Sequence, residues 1–247
     1  MLFRGIFFFF HIPFEIVFNA IIAKYGIGGI DLPQRTSWSP LHHAVVEGHE
    51  KVVEVLLKLG ANVEKPLGTN FDRMTPLMLA AARSNLSLVK ILVSKYNAKI
   101  EKPDKYKRTA MTHAAMNGAT NVMSYLLFMG ASYNKPDSSG NSNLHYACAY
   151  GWYFCAKLLL DCGAQIDARN DWKLTPLAIS LLKGHTGRIL DNINSIPSFS
   201  LNTVFPHIVA AATILFWKLK CGKYSREETI QGRKLLFSYF LLKKGYQ

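Results

Sequence analysis

One pattern returns along this chain at a nearly constant step. Leu41, Leu77, Met111, Leu144 and Leu177 lie 36, 34, 33 and 33 residues apart, and three residues after each comes Ala44, Ala80, Ala114, Ala147 or Ser180. Fifteen residues after the first four stand Leu56, Leu92, Leu126 and Leu159, with Gly60, Tyr96, Gly130 and Gly163 four positions further on. The clearest copy runs from Gly140 to Lys173. It holds two short apolar helical patterns, a glycine after each, and a polar hairpin-like segment. Such a unit cannot bury its own apolar face, so it has to stack against copies of itself.

The residues that open each copy are specific enough to resemble a known family. Ser39-Pro40-Leu41-His42, Thr75-Pro76-Leu77-Met78 and Thr175-Pro176-Leu177-Ala178 match the Thr-Pro-Leu-His-x-Ala signature of ankyrin repeats. Thr109-Ala110-Met111-Thr112 and Ser142-Asn143-Leu144-His145 keep the hydroxyl and the apolar residue but lose the proline. The resemblance implies an all-α ankyrin-repeat solenoid of helix-turn-helix units with short β-turn or hairpin fingers. It covers residues 35–190, about five repeats with the fifth incomplete: at the position fifteen after Leu177, where leucine is expected, the chain has Asn192. It also implies that His42 and His145 hydrogen-bond neighbouring turn backbones. A fold by itself carries no activity.

The two ends do not follow the repeat. Residues 1–34 are an apolar segment and linker: a run rich in phenylalanine, broken by His11, Pro13, Glu15 and Asn19, then the glycines before Pro33. They read as a packed N-terminal cap, as a signal-like or membrane-associated segment, or as a poorly ordered leader. Glu15 and Pro13 near the centre weigh against a spanning helix, since charge there is costly. Residues 191–247 read as a divergent helical segment. Its stretch from His207 to Gly245 is expected to cap the stack as a degenerate sixth unit, with a membrane-binding hairpin or a loosely folded terminus as rivals.

The formal charge of +13 is spread over the chain, at +1 for residues 1–37, +7 for 38–190 and +5 for 191–247. Broad positive charge favours acidic partners by steering, or is only a solvated surface. The four cysteines do not form a secreted disulfide framework, and three of them, Cys148, Cys155 and Cys162, fall in one repeat. They are expected as buried reduced thiols, which points to a reducing, cytoplasmic setting. No phosphate-binding, nucleophile-elbow or zinc-protease motif occurs in the sequence. No enzyme activity, cofactor or metal is therefore expected.

What is left is surface. In the family that the repeats resemble, the fingers and the exposed side of the first helices form the binding groove. Register places Arg73, Tyr106, Lys107, Arg108, Trp172 and Lys173 on fingers, and Arg83 and Tyr150 at first-helix turns. Where the family has glycine two positions before the threonine, this chain has Arg73, Lys107 and Lys173. These eight are the expected partner-binding residues, since arginine and aromatics make good interface anchors. The expected function is a non-catalytic scaffold that binds a protein partner, acidic or extended in character, ahead of any nucleic acid. Two other readings stand. Asn170 to Leu177 is similar to repeats found beside ADP-ribosyltransferase domains in some single-celled eukaryotes, which would make the chain an inactive ankyrin portion or relic of a poly(ADP-ribose) polymerase-like enzyme. An apolar terminus would instead make it a membrane-tethered ankyrin protein.

Overall fold

A computed structural model describes residues 38–183. The readings for residues 1–34 and 191–247 lie outside the described residues. Among the described residues nine α-helices occur in order: α1 Pro40–Val46, α2 Glu50–Lys58, α3 Pro76–Ala82, α4 Leu86–Lys90, α5 Ala110–Met116, α6 Thr120–Phe128, α7 Asn143–Ala149, α8 Tyr153–Asp161 and α9 Pro176–Lys183. α4 widens into a π turn over Ile91–Lys95. Among the described residues there is no strand, and the fingers are turns rather than strand pairs.

Each first helix starts where the repeat signature says it should. Ser39, Thr75, Thr109 and Ser142 are extended, with ψ between 162° and 176°, which is the N-cap conformation. The Thr75 hydroxyl accepts from Met78 N at 3.3 Å and the Thr175 hydroxyl from Ala178 N at 3.2 Å. Pro40, Pro76 and Pro176 follow directly, at a position where the missing N–H leaves no helical bond unmade. Gly48, Gly118 and Gly151, at positive φ, end α1, α5 and α7. In repeat two that conformation falls to Ser84 at φ 56°, and the next residue, Asn85, caps α4 by accepting from Leu88 N at 3.0 Å.

The periodic residues are the core. Leu41, Leu77, Met111, Leu144, Leu177, Leu56, Leu92, Leu126 and Leu159 are all at most 2% exposed, and Ala80, Ala114, Ala147 and Ser180 are fully buried. Small residues at those positions let α1, α3, α5, α7 and α9 pack one against the next, while α4, α6 and α8 form the second layer. Cys148 and Cys155 are buried as expected, but Cys162 is the C-cap just past α8 and is only partly buried.

Polar groups then tie unit to unit. His42 Nδ1 lies 3.2 Å from Ser39 N and 2.7 Å from its hydroxyl, while Nε2 lies 2.9 Å from Lys65 O. His145 repeats this with Ser142 and, at 3.1 Å, Leu174 O. Accepting at Nδ1 from a backbone N–H and donating at Nε2 to a carbonyl requires a neutral ring. Burial pushes the His145 pKa below its ordinary value, against a smaller upward pull from the Leu174 carbonyl and Asp137.

Candidate functional site

Three fingers are built on one device. Asp104 Oδ1 accepts from Tyr106 N and Arg108 N at 2.8 and 2.9 Å. Asp137 Oδ1 accepts from Ser139 N and Asn141 N, both at 2.8 Å. Asn170 Oδ1 accepts from Trp172 N and Leu174 N at 3.1 and 3.0 Å. An Asp or Asn side chain that bonds the backbone two residues on closes a turn without a strand ladder. Sequence reasoning missed these three residues, although their 33-residue spacing is visible in the chain. Neighbouring fingers are then joined by backbone bonds: Lys105 N to Asp72 O at 2.8 Å, Ser138 N to Tyr106 O at 2.8 Å and Asp171 N to Ser139 O at 3.1 Å.

The tips of this linked row carry most of the candidate residues. Arg73, Tyr106, Lys107, Trp172 and Lys173 are all exposed. Arg73, Lys107 and Lys173 occupy the left-handed region at φ 57°, 61° and 59°, the conformation that Gly140 takes at φ 74° in the finger of repeat four. A side chain there costs roughly 1–2 kcal/mol. A Cβ at Gly140 would crowd the next finger, 2.9 Å from Asp171 Oδ1 and 3.1 Å from Asp171 N.

Arg108 differs from the others. Its side chain is 13% exposed, with Nε 2.7 Å from Asp104 Oδ2 and Nη2 2.9 Å from Asp72 Oδ2. Burial pushes the Asp104 carboxyl up, but hydrogen bonds from His113 and Arg108 outweigh it and hold the pKa below the usual range. The Arg108 guanidinium also stands 4.8 Å from the centre of the Tyr106 ring, with Lys105 Nζ at 5.6 Å. It therefore props Tyr106 from behind rather than presenting its own charge. Other basic residues of the same stretch are engaged too. Lys95 pairs with Glu54 at 2.8 Å and Lys102 with Glu64 at 3.1 Å. On the tips Arg73, Lys105, Lys107 and Lys173 have no ion-pair partner among the described residues.

Arg83 and Tyr150 form a separate group. They cap the far ends of α3 and α7, about 10 Å from the fingers for a seven-residue helix. Both are exposed, Tyr150 at 49%. The structure also exposes aromatics that the register did not flag: Phe128 at 84% and Phe154 at 70% on the second helices, and Trp152, whose Nε1 donates to Met116 O at 2.9 Å.

Family models of ankyrin repeats match residues 36–66, 64–137 and 144–190. The chain belongs to the ankyrin repeat family. Among curated proteins this ankyrin chain is 42% identical over 160 residues to the poly [ADP-ribose] polymerase tankyrase of Caenorhabditis elegans, covering 64% of this chain and 7% of that protein. It is 32% identical over 181 residues to the ankyrin repeat and KH domain-containing protein mask-1 of the same animal, covering 73% and 7%. To the mouse protein fem-1 homolog A-like it is 33% identical over 143 residues, covering 58% and 21%. The chain thus spans less than a tenth of the length of the first two. Ankyrin arrays are interaction modules, and nothing in these similarities reaches a catalytic domain. Among the described residues no helix is long and apolar enough to cross a membrane.

Proposed function

We propose that this ankyrin chain is a non-catalytic scaffold which holds a protein partner, an extended segment with acidic character, along its finger edge. The observation that carries this reading is the row of backbone-linked tips. Among the described residues Arg73, Lys105, Lys107 and Lys173 stand on it without ion-pair partners, beside exposed Tyr106 and Trp172. Rigid turns reduce the entropy lost on binding, exposed aromatics supply area, and the unpaired cations steer an acidic chain toward the edge. Arg83 and Tyr150 extend the surface along the first helices, and Arg108 contributes by fixing Tyr106. The array itself, residues 35–190, is the binding unit.

Kinetics on the full chain test this. Partners captured from a lysate are measured against the parent and against a variant with Arg73→Glu, Lys107→Glu and Lys173→Glu, once that variant is shown to melt like the parent. Charge reversal is expected to slow association and to flatten its dependence on salt. Unchanged association at low salt would show that the edge is only a solvated face.

A further inference from the structure

Two of the fingers carry the same kind of side chains on the same backbone. Tyr106-Lys107 and Trp172-Lys173 occupy corresponding turn positions, two and three residues after Asp104 and Asn170. Lys107 and Lys173 differ in φ by only 2° (61° and 59°), and the same Asp or Asn side chain bonds close both turns, so the aromatic and the cation sit on equivalent backbone in each. The finger between them has Ser139 and Gly140 at those positions. Asp171 leans over that gap: its Oδ1 lies 2.9 Å from where a Gly140 Cβ would be. Bonds from Ser138 N to Tyr106 O and from Asp171 N to Ser139 O lock the three fingers together. The row therefore has an aromatic and a positive charge at each end and small residues in the middle, over which the Asp171 carboxylate reaches from the Trp172 finger.

We propose that this row grips one extended segment of a partner protein at two places, each an apolar side chain with an acidic neighbour, joined by a short stretch that is free of carboxylates. The proposal rests on the finger-edge reading above and gives it a spacing. α5, α7 and α9 pack in succession, and packed helices lie roughly 8–10 Å apart, which sets Tyr106 and Trp172 about 16–20 Å apart. An extended chain advances about 3.3 Å per residue, so the two apolar anchors fall about five or six residues apart. Asp171 repels acid in the joining stretch, so the partner's charge is confined to the ends. Trp172, 63% exposed, has the larger area left to cover, while Tyr106 is already set by Arg108. Engaging both ends makes the second contact intramolecular, so the loss of either aromatic is felt by the same ligand.

A random peptide library displayed on phage, selected on the full 247-residue chain, tests the proposal. Enriched peptides are remade with a fluorescein label and titrated by polarisation against the parent, Tyr106→Ala, Trp172→Ala and the triple charge reversal. Each variant is first matched to the parent by circular dichroism and melting. The expected peptides carry two apolar residues about five or six apart, each beside Asp or Glu, and each single aromatic variant weakens the same peptide at least tenfold. Peptides that respond to charge reversal but to one aromatic only, or that show no fixed spacing, overturn the two-site grip and leave the finger edge standing. Peptides that bind every variant alike overturn both. A library that yields no binder also overturns the grip, since it samples that spacing in full.

Discussion

Arg108 of one finger reaches back to Asp72 of the finger before it, Nη2 to Oδ2 at 2.9 Å, while its Nε holds Asp104 at 2.7 Å. One side chain thus closes its own turn and joins it to the neighbouring unit. The Asp104 carboxylate is fully buried and also accepts from His113 Nε2 at 3.1 Å. Removing Arg108 leaves a buried charge short of a donor, which costs about 1.5–3 kcal/mol. Arg108→Ala should therefore lower the melting midpoint clearly. An unchanged midpoint would mean that the network is not formed in solution.

Lys107 and Lys173 should behave in the opposite way. Each holds a left-handed backbone, at φ 61° and 59°, against a penalty of roughly 1–2 kcal/mol, part of which glycine returns as unfolded-state entropy. Lys107→Gly and Lys173→Gly are each expected to be neutral or to stabilise by up to about 1 kcal/mol in urea unfolding, while weakening partner association. Clear destabilisation would show that the lysine side chains themselves hold the turns.

Gly118 lies beneath the Trp152 indole. A Cβ at Gly118 would stand 2.6 Å from Trp152 Cδ2, and the backbone there is at φ 72°. Gly118→Ala must displace the ring, which is tied to Met116 O, and it strains the turn as well. A loss of about 1–3 kcal/mol is expected, with a red shift of tryptophan emission as the indole moves into water. A stable variant with parent emission would place the indole elsewhere.

His145 makes stability depend on pH in a known direction. Its folded pKa lies below the ordinary 6.5 because the ring is buried, so the unfolded chain binds the proton more readily. Its contribution is complete above about pH 6.5 and declines as pH falls toward the folded pKa. A His145→Asn variant should be less stable at pH 7.5, with the gap to the parent narrowing toward pH 5. A constant gap would mean that the imidazole pairing does not require the neutral ring.

The helices were legible in the sequence because their determinants are local and periodic. The hydroxyl caps, the prolines after them and the buried residues three and fifteen positions on all stand where the 33-residue step puts them. The site was legible only in part. Tyr106, Trp172 and the lysines were placed on fingers by register. The engagement of Arg108 was not, because it depends on Asp72, 36 residues away, and on which of several nearby lysines already have partners. Cys162 was expected inside the core from helical spacing, but α8 stops one residue short of it. Phe128 and Phe154 sit in apolar helix stretches, and only the packing shows that they face outward.

Those two phenylalanines offer the sharpest test of where a partner binds, since they lie on the second helices and are more exposed than any finger aromatic, at 84% and 70%. The decisive measurement is the dissociation constant of one captured or selected ligand for the full chain, for a Tyr106→Ala/Trp172→Ala variant and for a Phe128→Ala/Phe154→Ala variant, all matched in melting temperature. Binding along the finger edge predicts at least a tenfold weakening for the first pair and a change within about twofold for the second. The reverse order would contradict it and move the binding surface to the second helices.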